Sequence, residues 1–338
     1  MSADSTLSSV IDQQTNRGVI AWLVSRQTFW IFCATLAAVL LLSIFTTTFD
    51  TPQNLFNVTR NFAFVGIIAI AMTVVIISGG IDLSVGSIML ISAMTAAIIM
   101  HAGMPIGLAF AAAMGASILV GLINGVLIAV VGMPPFVVTL GMMSVGRSIG
   151  LVMSNNTLIF NFGPDQPILL WIGGGSIPVL GFPVPNPLTA MVILLLITAF
   201  LLRWTKWGRH VFAIGGNEKA AVLTGIPVKT VKVSVYVFVA LFAGIAGFLQ
   251  AGWLGSVTTG LGQGMELTVI AAAVIGGANL AGGSGTAFGA VIGAALIEVI
   301  RNSLILLGIS PFWQGTFVGA FIILAVAFDR FRNKEIGE

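Results

Sequence analysis

Ten mostly apolar stretches follow one another along this chain, at about residues 29–47, 61–79, 84–101, 106–131, 136–154, 188–203, 233–252, 266–281, 287–307 and 312–329. A hydrocarbon layer about 30 Å thick takes about 20 such residues per helical crossing. Within it, only helices or closed barrels satisfy their own backbone groups. The expected fold is therefore all-α, a polytopic membrane protein with about ten transmembrane helices. Only 7% of the residues are charged and the mean hydropathy is +1.08, whereas soluble domains carry about 25% charged residues. Several stretches are short or interrupted by glycine, the eighth above all, which predicts helices that are short or broken and shielded by their neighbours.

Basic residues set the orientation, because Lys and Arg concentrate in cytosolic loops. With crossings alternating from a cytosolic N-terminus, Arg17 and Arg26, six residues between Arg203 and Lys232, and Arg330, Arg332 and Lys334 all fall inside. That is 2 + 6 + 3, or 11 of the chain's 14. An even number of crossings puts both termini in the cytoplasm. Residues 1–28 then form an N-terminal tail, 29–329 a single transmembrane domain and 330–338 a C-terminal tail. Basic loops account for the net charge of +3, and no patch suited to nucleic acid is visible. The first apolar run is too long for a signal-peptide core and reads as a retained anchor. One cysteine, Cys33, allows neither a disulfide framework nor a metal cluster.

The polar interruption at 203–232 contains Gly215-Gly216-Asn217-Glu218-Lys219-Ala220-Ala221-Val222-Leu223-Thr224-Gly225-Ile226-Pro227. Asn217 can cap a helix, Glu218 complements its dipole, and Gly225 with Pro227 stops it. A helix of roughly 8 residues, about 12 Å long, does not hold alone in water. It packs either on its own loop or on a partner.

These residues, with the basic return through Lys229 and Lys232, resemble the characteristic cytoplasmic loop of permease subunits in ribose-type ABC importers of monosaccharides. Two further blocks resemble the same family: Ser78-Gly79-Gly80-Ile81-Asp82-Leu83-Ser84-Val85-Gly86-Ser87, and Glu266-Leu267-Thr268-Val269-Ile270-Ala271-Ala272 leading to Gly276-Gly277 and Leu280-Ala281-Gly282-Gly283. The resemblance covers nearly the whole chain. Lys219 and Val222 depart from it, since the family tends to smaller or acidic and then basic residues there. It implies that the loop is a coupling helix docking on a cytoplasmic ABC ATPase through Asn217, Glu218, Ala220, Ala221 and Gly225, the small Ala220 and Ala221 permitting close approach. It further implies a second permease subunit, a periplasmic sugar-binding protein that carries most of the specificity, and the bacterial inner membrane. ATP and Mg would sit on the ATPase, with no cofactor on this chain.

The residues themselves favour a conduit over an enzyme. No phosphate-cradling GxxxxGK[ST] loop, HExxH helix or GxSxG elbow occurs. Intramembrane charge is scarce and so informative. Arg147 lies deep in the fifth stretch and needs a carbonyl-rich helix end or a carboxylate from another span. Glu298 and Arg301 lie three apart and are expected to neutralise each other. Gly79, Gly80, Asp82 and Ser84 are candidates for a cytosolic gate or a helix cap, with Asp82 capping a helix that starts near Leu83.

Trp253, Gln263, Glu266, Trp313 and Gln314 are candidates for the outer mouth of a sugar path, the tryptophans alternatively serving as interfacial belt residues. Gly121 with Gly125, and Gly285, Gly289 and Gly293, form small-residue faces for close helix packing, within one subunit or against a second. The segment 155–187 lacks Lys and Arg, holds six prolines, and reads as a turn-rich external lid that either receives a binding protein or merely covers the outer face. Gly79-Gly80 is echoed by Gly276-Gly277, through an old duplication or by chance. The rival to a permease subunit is a self-sufficient secondary transporter, which needs a titratable path of carboxylates. Apart from Glu298, none is evident.

Overall fold

The computed structural model describes residues 27–313, 315–317 and 319–320. Seven of its helices are long and apolar enough to cross a membrane: α1 (Gln27–Phe45), α2 (Pro52–Ile77), α4 (Ile106–Ala129), α5 (Pro135–Met153), α7 (Asn186–Trp204), α10 (Val228–Leu254) and α12 (Ala287–Leu306). Two shorter apolar helices, α3 (Val85–His101) and α11 (Met265–Ile275), join them. Nine of the ten expected crossings thus carry a helix. The tenth, at 312–329, lies largely outside the described residues, as do both terminal tails and Gln314.

Helix α2 is the centre of the bundle. From Ala63 to Ile77 every residue is buried, because the sequence Ala63-Phe64-Val65-Gly66-Ile67-Ile68 and onward is apolar on all sides and is packed on all sides. Its far end is held to α12 by a reciprocal amide pair: Asn54 Nδ2 donates to Asn302 Oδ1 at 3.1 Å, and Asn302 Nδ2 returns at 2.8 Å. By contrast α1 lies at the margin, with Trp30, Leu40, Ile44 and Phe45 exposed as befits a lipid-facing helix.

Glycines set the closest approaches, and they do so within the subunit. A Cβ on Gly121 would lie 2.5 Å from that of Ala240, and one on Gly125 would lie 2.8 Å from Val233 Cα, so α4 meets α10 backbone to backbone. Gly289 and Gly293 likewise seat α12 on the carbonyls of Gly276 and Ala272 beside α11.

The segment 155–187 is more ordered than a turn-rich lid. It contains α6 (Gln166–Gly174) and a hairpin of β2 (Ser176–Val179) and β3 (Phe182–Pro185). It also holds β1 (Ile159–Phe160), which pairs antiparallel with β4 (Ser256–Val257). Helix α6 packs on α10, where Gly173 leaves no room for a side chain against the backbone of Leu249 and Trp253. His101 Nδ1 lies 2.9 Å from Asn161 O, so the outer end of α3 belongs to this face.

At the opposite, basic face the polar interruption holds two helices and not one. Besides α9 (Glu218–Leu223) there is α8 (Lys206–Gly216), capped by Thr205 Oγ1, which accepts from Gly208 N at 3.2 Å. Gly208, Val211 and Ile214 turn inward at helical spacing, and Trp207 Nε1 donates to Ser234 Oγ of α10 at 2.7 Å. In a Cys33→Ser background, Leu180→Cys at the 95%-exposed hairpin tip should label with an impermeant thiol reagent in intact cells. Lys219→Cys should label only after permeabilisation. The reverse pattern would invert the orientation set by the basic residues.

Candidate functional site

Three loops meet at the basic face, and glycine lets them meet. α2 and α11 end in the same way: Gly79 N donates to Ile76 O at 2.9 Å and Gly80 N to Val75 O at 3.0 Å, while Gly277 N donates to Val274 O at 2.9 Å and Ala278 N to Ala273 O at 3.0 Å. Gly79 (φ +80°) and Gly277 (φ +98°) supply the left-handed residue that this helix ending needs. The echo in the sequence is thus one local device used twice. Beyond α11 the chain returns through Gly282 (φ +91°) and Gly283 (φ +76°), and Gly283 N donates to Ile77 O at 2.9 Å. The last turn of α8 closes the junction, for any Cβ on Gly215 would fall on Ile77 O and lie 2.6 Å from Gly283 N.

One residue beyond α8, Asn217 Oδ1 accepts from Ala220 N at 3.0 Å and caps α9. Glu218 Oε2 lies 2.6 Å from Lys232 Nζ, the one ion pair among the described residues, so this carboxylate ties α9 to α10 besides facing a helix start. Gly225 (φ +78°) makes the stop. Ala221 is 4% exposed, so of the five residues expected to meet the ATPase it is the one that α9 turns inward. The outward side carries Lys219, Ala220, Val222 and Leu223, the last two 58% and 88% exposed.

Behind the junction lies a buried polar cluster. Asp82 Oδ1 accepts from Ser84 N at 2.7 Å and from Ser84 Oγ at 2.6 Å, and Asn124 Nδ2 donates to Ser84 Oγ at 2.9 Å. Asp82 therefore does not cap α3 directly. The N-cap is Ser84, and Asp82 fixes the turn one step earlier. Tyr236 of α10 brings its hydroxyl to within 2.5 Å of where a Gly80 Cβ would stand, which explains why that position has none.

The remaining charges pair differently from their spacing. Glu298 and Arg301 make no direct ion pair: Arg301 Nη2 donates to Thr268 Oγ1 of α11 at 3.3 Å, while Glu298 still feels the Arg301 charge and lies near Asn61 of α2. Spacing along one helix did not reveal that Arg301 would find a partner on another. Arg147 Nη1 donates to Leu261 O at 2.6 Å, and Glu266 lies close by across Gly86. Glu266 opens α11 in its first turn, as expected, and that turn lies beside the first turn of α3, because α11 begins inside the bundle. Trp253 stacks on Phe64 at 5.5 Å and lies 4.5 Å under the Arg60 guanidinium, while Trp313 is exposed in a short turn after α12. The mouth candidates thus fall into separate groups.

Residues 54–326 match the family model described as branched-chain amino acid transport system / permease component. The chain belongs to this permease family. It is 39% identical over 292 residues to the ribose import permease protein RbsC of Bacillus subtilis, covering 86% of this chain and 89% of that one. It is 36% identical over 310 residues to RbsC of Escherichia coli K12 (91% and 94%), and 33% identical over 319 residues to the L-arabinose ABC transporter permease protein AraH of Azospirillum brasilense (94% and 91%). No solved structure matches the chain.

Several parts of the permease escaped sequence reasoning. Helix α8 was hidden in a polar loop, although Thr205 followed by Gly208, Val211 and Ile214 is a cap and an inward stripe. Arg60 and Tyr236 drew no attention because an isolated arginine near a span's end and a lone tyrosine look like interfacial residues. Ser84 and Asn124 lie 40 positions apart and have no shared signal short of the fold.

Proposed function

We propose that this permease is the transmembrane subunit of an ATP-driven sugar importer, and that α9 docks its outward side on a separate cytoplasmic ABC ATPase. The observation that carries the coupling part is the exposed Val222–Leu223 pair at the tip of a six-residue helix whose other side is packed. An apolar tip standing outside the bundle fits a partner's cleft, and the Gly215 junction joins it to the ends of α2 and α11. ATP and Mg belong to the partner, so this chain supplies no catalytic group of its own. A second permease subunit completes the path, and a periplasmic binding protein delivers the solute at the face carrying α6 and the β2–β3 hairpin, in the inner membrane of a bacterium.

Sugar is favoured as the cargo because the ribose and arabinose permeases align over more than nine-tenths of this chain or close to it. A secondary transporter fits less well, since among the described residues Glu298 has the Arg301 charge near it and no line of carboxylates joins it.

Leu223→Asp tests the docking. The side chain is almost fully exposed, so the permease should reach the membrane at its usual level. ATPase recovered on a tagged permease should fall at least tenfold, and uptake of ribose, arabinose or fructose with it. Burying an uncompensated carboxylate at an apolar contact accounts for a loss of that size. Unchanged ATPase recovery together with unchanged uptake would remove α9 from the interface.

A further inference from the structure

The eighth crossing is made only in part by helix. α11 has 11 residues, about 16 Å at about 1.5 Å per residue, against a hydrocarbon layer of about 30 Å. The other part is the segment from Gly255 to Gly264, which apart from β4 has no regular structure. It starts at the outer end of α10 and runs inward, since β4 pairs with β1 at the outer face while Gly262 presses on Gly86, at the end of α3 remote from His101.

The segment is anchored on one side. Leu261 is buried, its carbonyl accepts from Arg147, and Gly262 (φ +72°) fits against the Gly86 backbone where no side chain could stand. Its other side is open: Thr258, Gly260, Gln263 and Gly264 are exposed. Irregular backbone at membrane depth is tolerated only where protein covers it or where it lines a water-filled cavity. An exposed glutamine and threonine on such backbone therefore do not face lipid.

We propose that residues 258–264 are a re-entrant wall of the solute path and that Gln263 offers hydrogen bonds there to an uncharged polyhydroxyl solute. This rests on the transport reading above and narrows it. The nearest charged residues are half-buried and of opposite sign: their atoms Arg147 Nη2 and Glu266 Oε2 are both buried, on either side of the place where a Gly86 Cβ would lie 3.2 Å from one and 2.5 Å from the other. The groups left to the open side are an amide, a hydroxyl and backbone, which suit hydroxyl groups and leave an amino acid's ammonium and carboxylate without countercharges.

The test uses the whole transporter in inverted and right-side-out membrane vesicles, with Cys33→Ser as background. Gln263→Cys should react with a small charged thiosulfonate at least tenfold faster than Ile193→Cys, which is 53% exposed on the apolar flank of α7. Gln263→Leu should reach the membrane normally and lower uptake of labelled ribose, arabinose or fructose at least fivefold. A Gln263→Cys rate no greater than that of Ile193→Cys would place the segment against lipid and overturn the proposal. Rapid labelling with undiminished uptake by Gln263→Leu would overturn the solute contact, and import of L-leucine in place of the sugars would overturn the uncharged cargo. Failure of the coupling reading shows instead in ATPase recovery, which neither Gln263 variant should alter.

Discussion

Gly215→Ala should abolish sugar uptake, and Gly216→Ala should leave it intact. The two glycines are neighbours in the last turn of α8, yet a Cβ on Gly216 meets nothing within 4 Å whereas one on Gly215 falls on Ile77 O and crowds Gly283 N. The obstacle at Gly215 is backbone on both sides, which cannot turn away as a side chain can. α8 has to move off the end of α2, and the bond from Gly283 N to Ile77 O is the first casualty. Overpacking of this kind costs about 1–3 kcal/mol, so some permease should still reach the membrane. It should still recover the ATPase, because the outward side of α9 is unchanged. Membrane level, ATPase recovery and uptake measured side by side check this. Equal uptake by the two variants would mean that the junction carries no motion from α9 to the helices.

The second large effect is expected at Asp82. Asp82→Ala removes the acceptor for both Ser84 N and Ser84 Oγ inside a fully buried cluster, while Asp82→Asn keeps an oxygen in the same place. A buried donor left without its acceptor costs about 1–3 kcal/mol, and here there are two. Asp82→Ala should therefore lower the amount of folded permease several-fold and lower its thermal midpoint in detergent, with Asp82→Asn close to the parent. If the two variants lose stability alike, the carboxylate's charge matters more than the hydrogen bonds to Ser84.

The architecture was legible because membrane burial writes itself in long apolar runs. α3, α4, α5 and α12 fall within two residues of their expected spans, whereas α2 begins nine residues earlier than expected. Chemistry at a single position was legible where it is local: Asn217 caps α9, and Gly225 ends it. What was not legible is everything decided by contact between distant segments. Glu298 and Arg301 sit at a spacing that suggests a pair, but lateral packing gives Arg301 to Thr268 and places Asn61 beside Glu298. Ala221 has the same composition signal as Ala220, and only the direction in which α9 lies on its loop separates the buried one from the exposed one. The glycines of the eighth stretch announced a short helix, and α11 does end at Ile275, but nothing in 266–281 told that the irregular chain from Gly255 to Gly264 packs upstream of it.

That half-length helix bears on how the protein is built during synthesis. A segment as short as α11, with Glu266 in its first turn, is a poor candidate for entering the bilayer alone, since it neither reaches across nor leaves its carboxylate a partner in lipid. The backbone of Gly276 and Ala272 is left bare for Gly289 and Gly293 of the helix that follows. α11 is therefore suited to enter the bilayer together with α12 as a hairpin, the glycine seam letting the two pack as one unit.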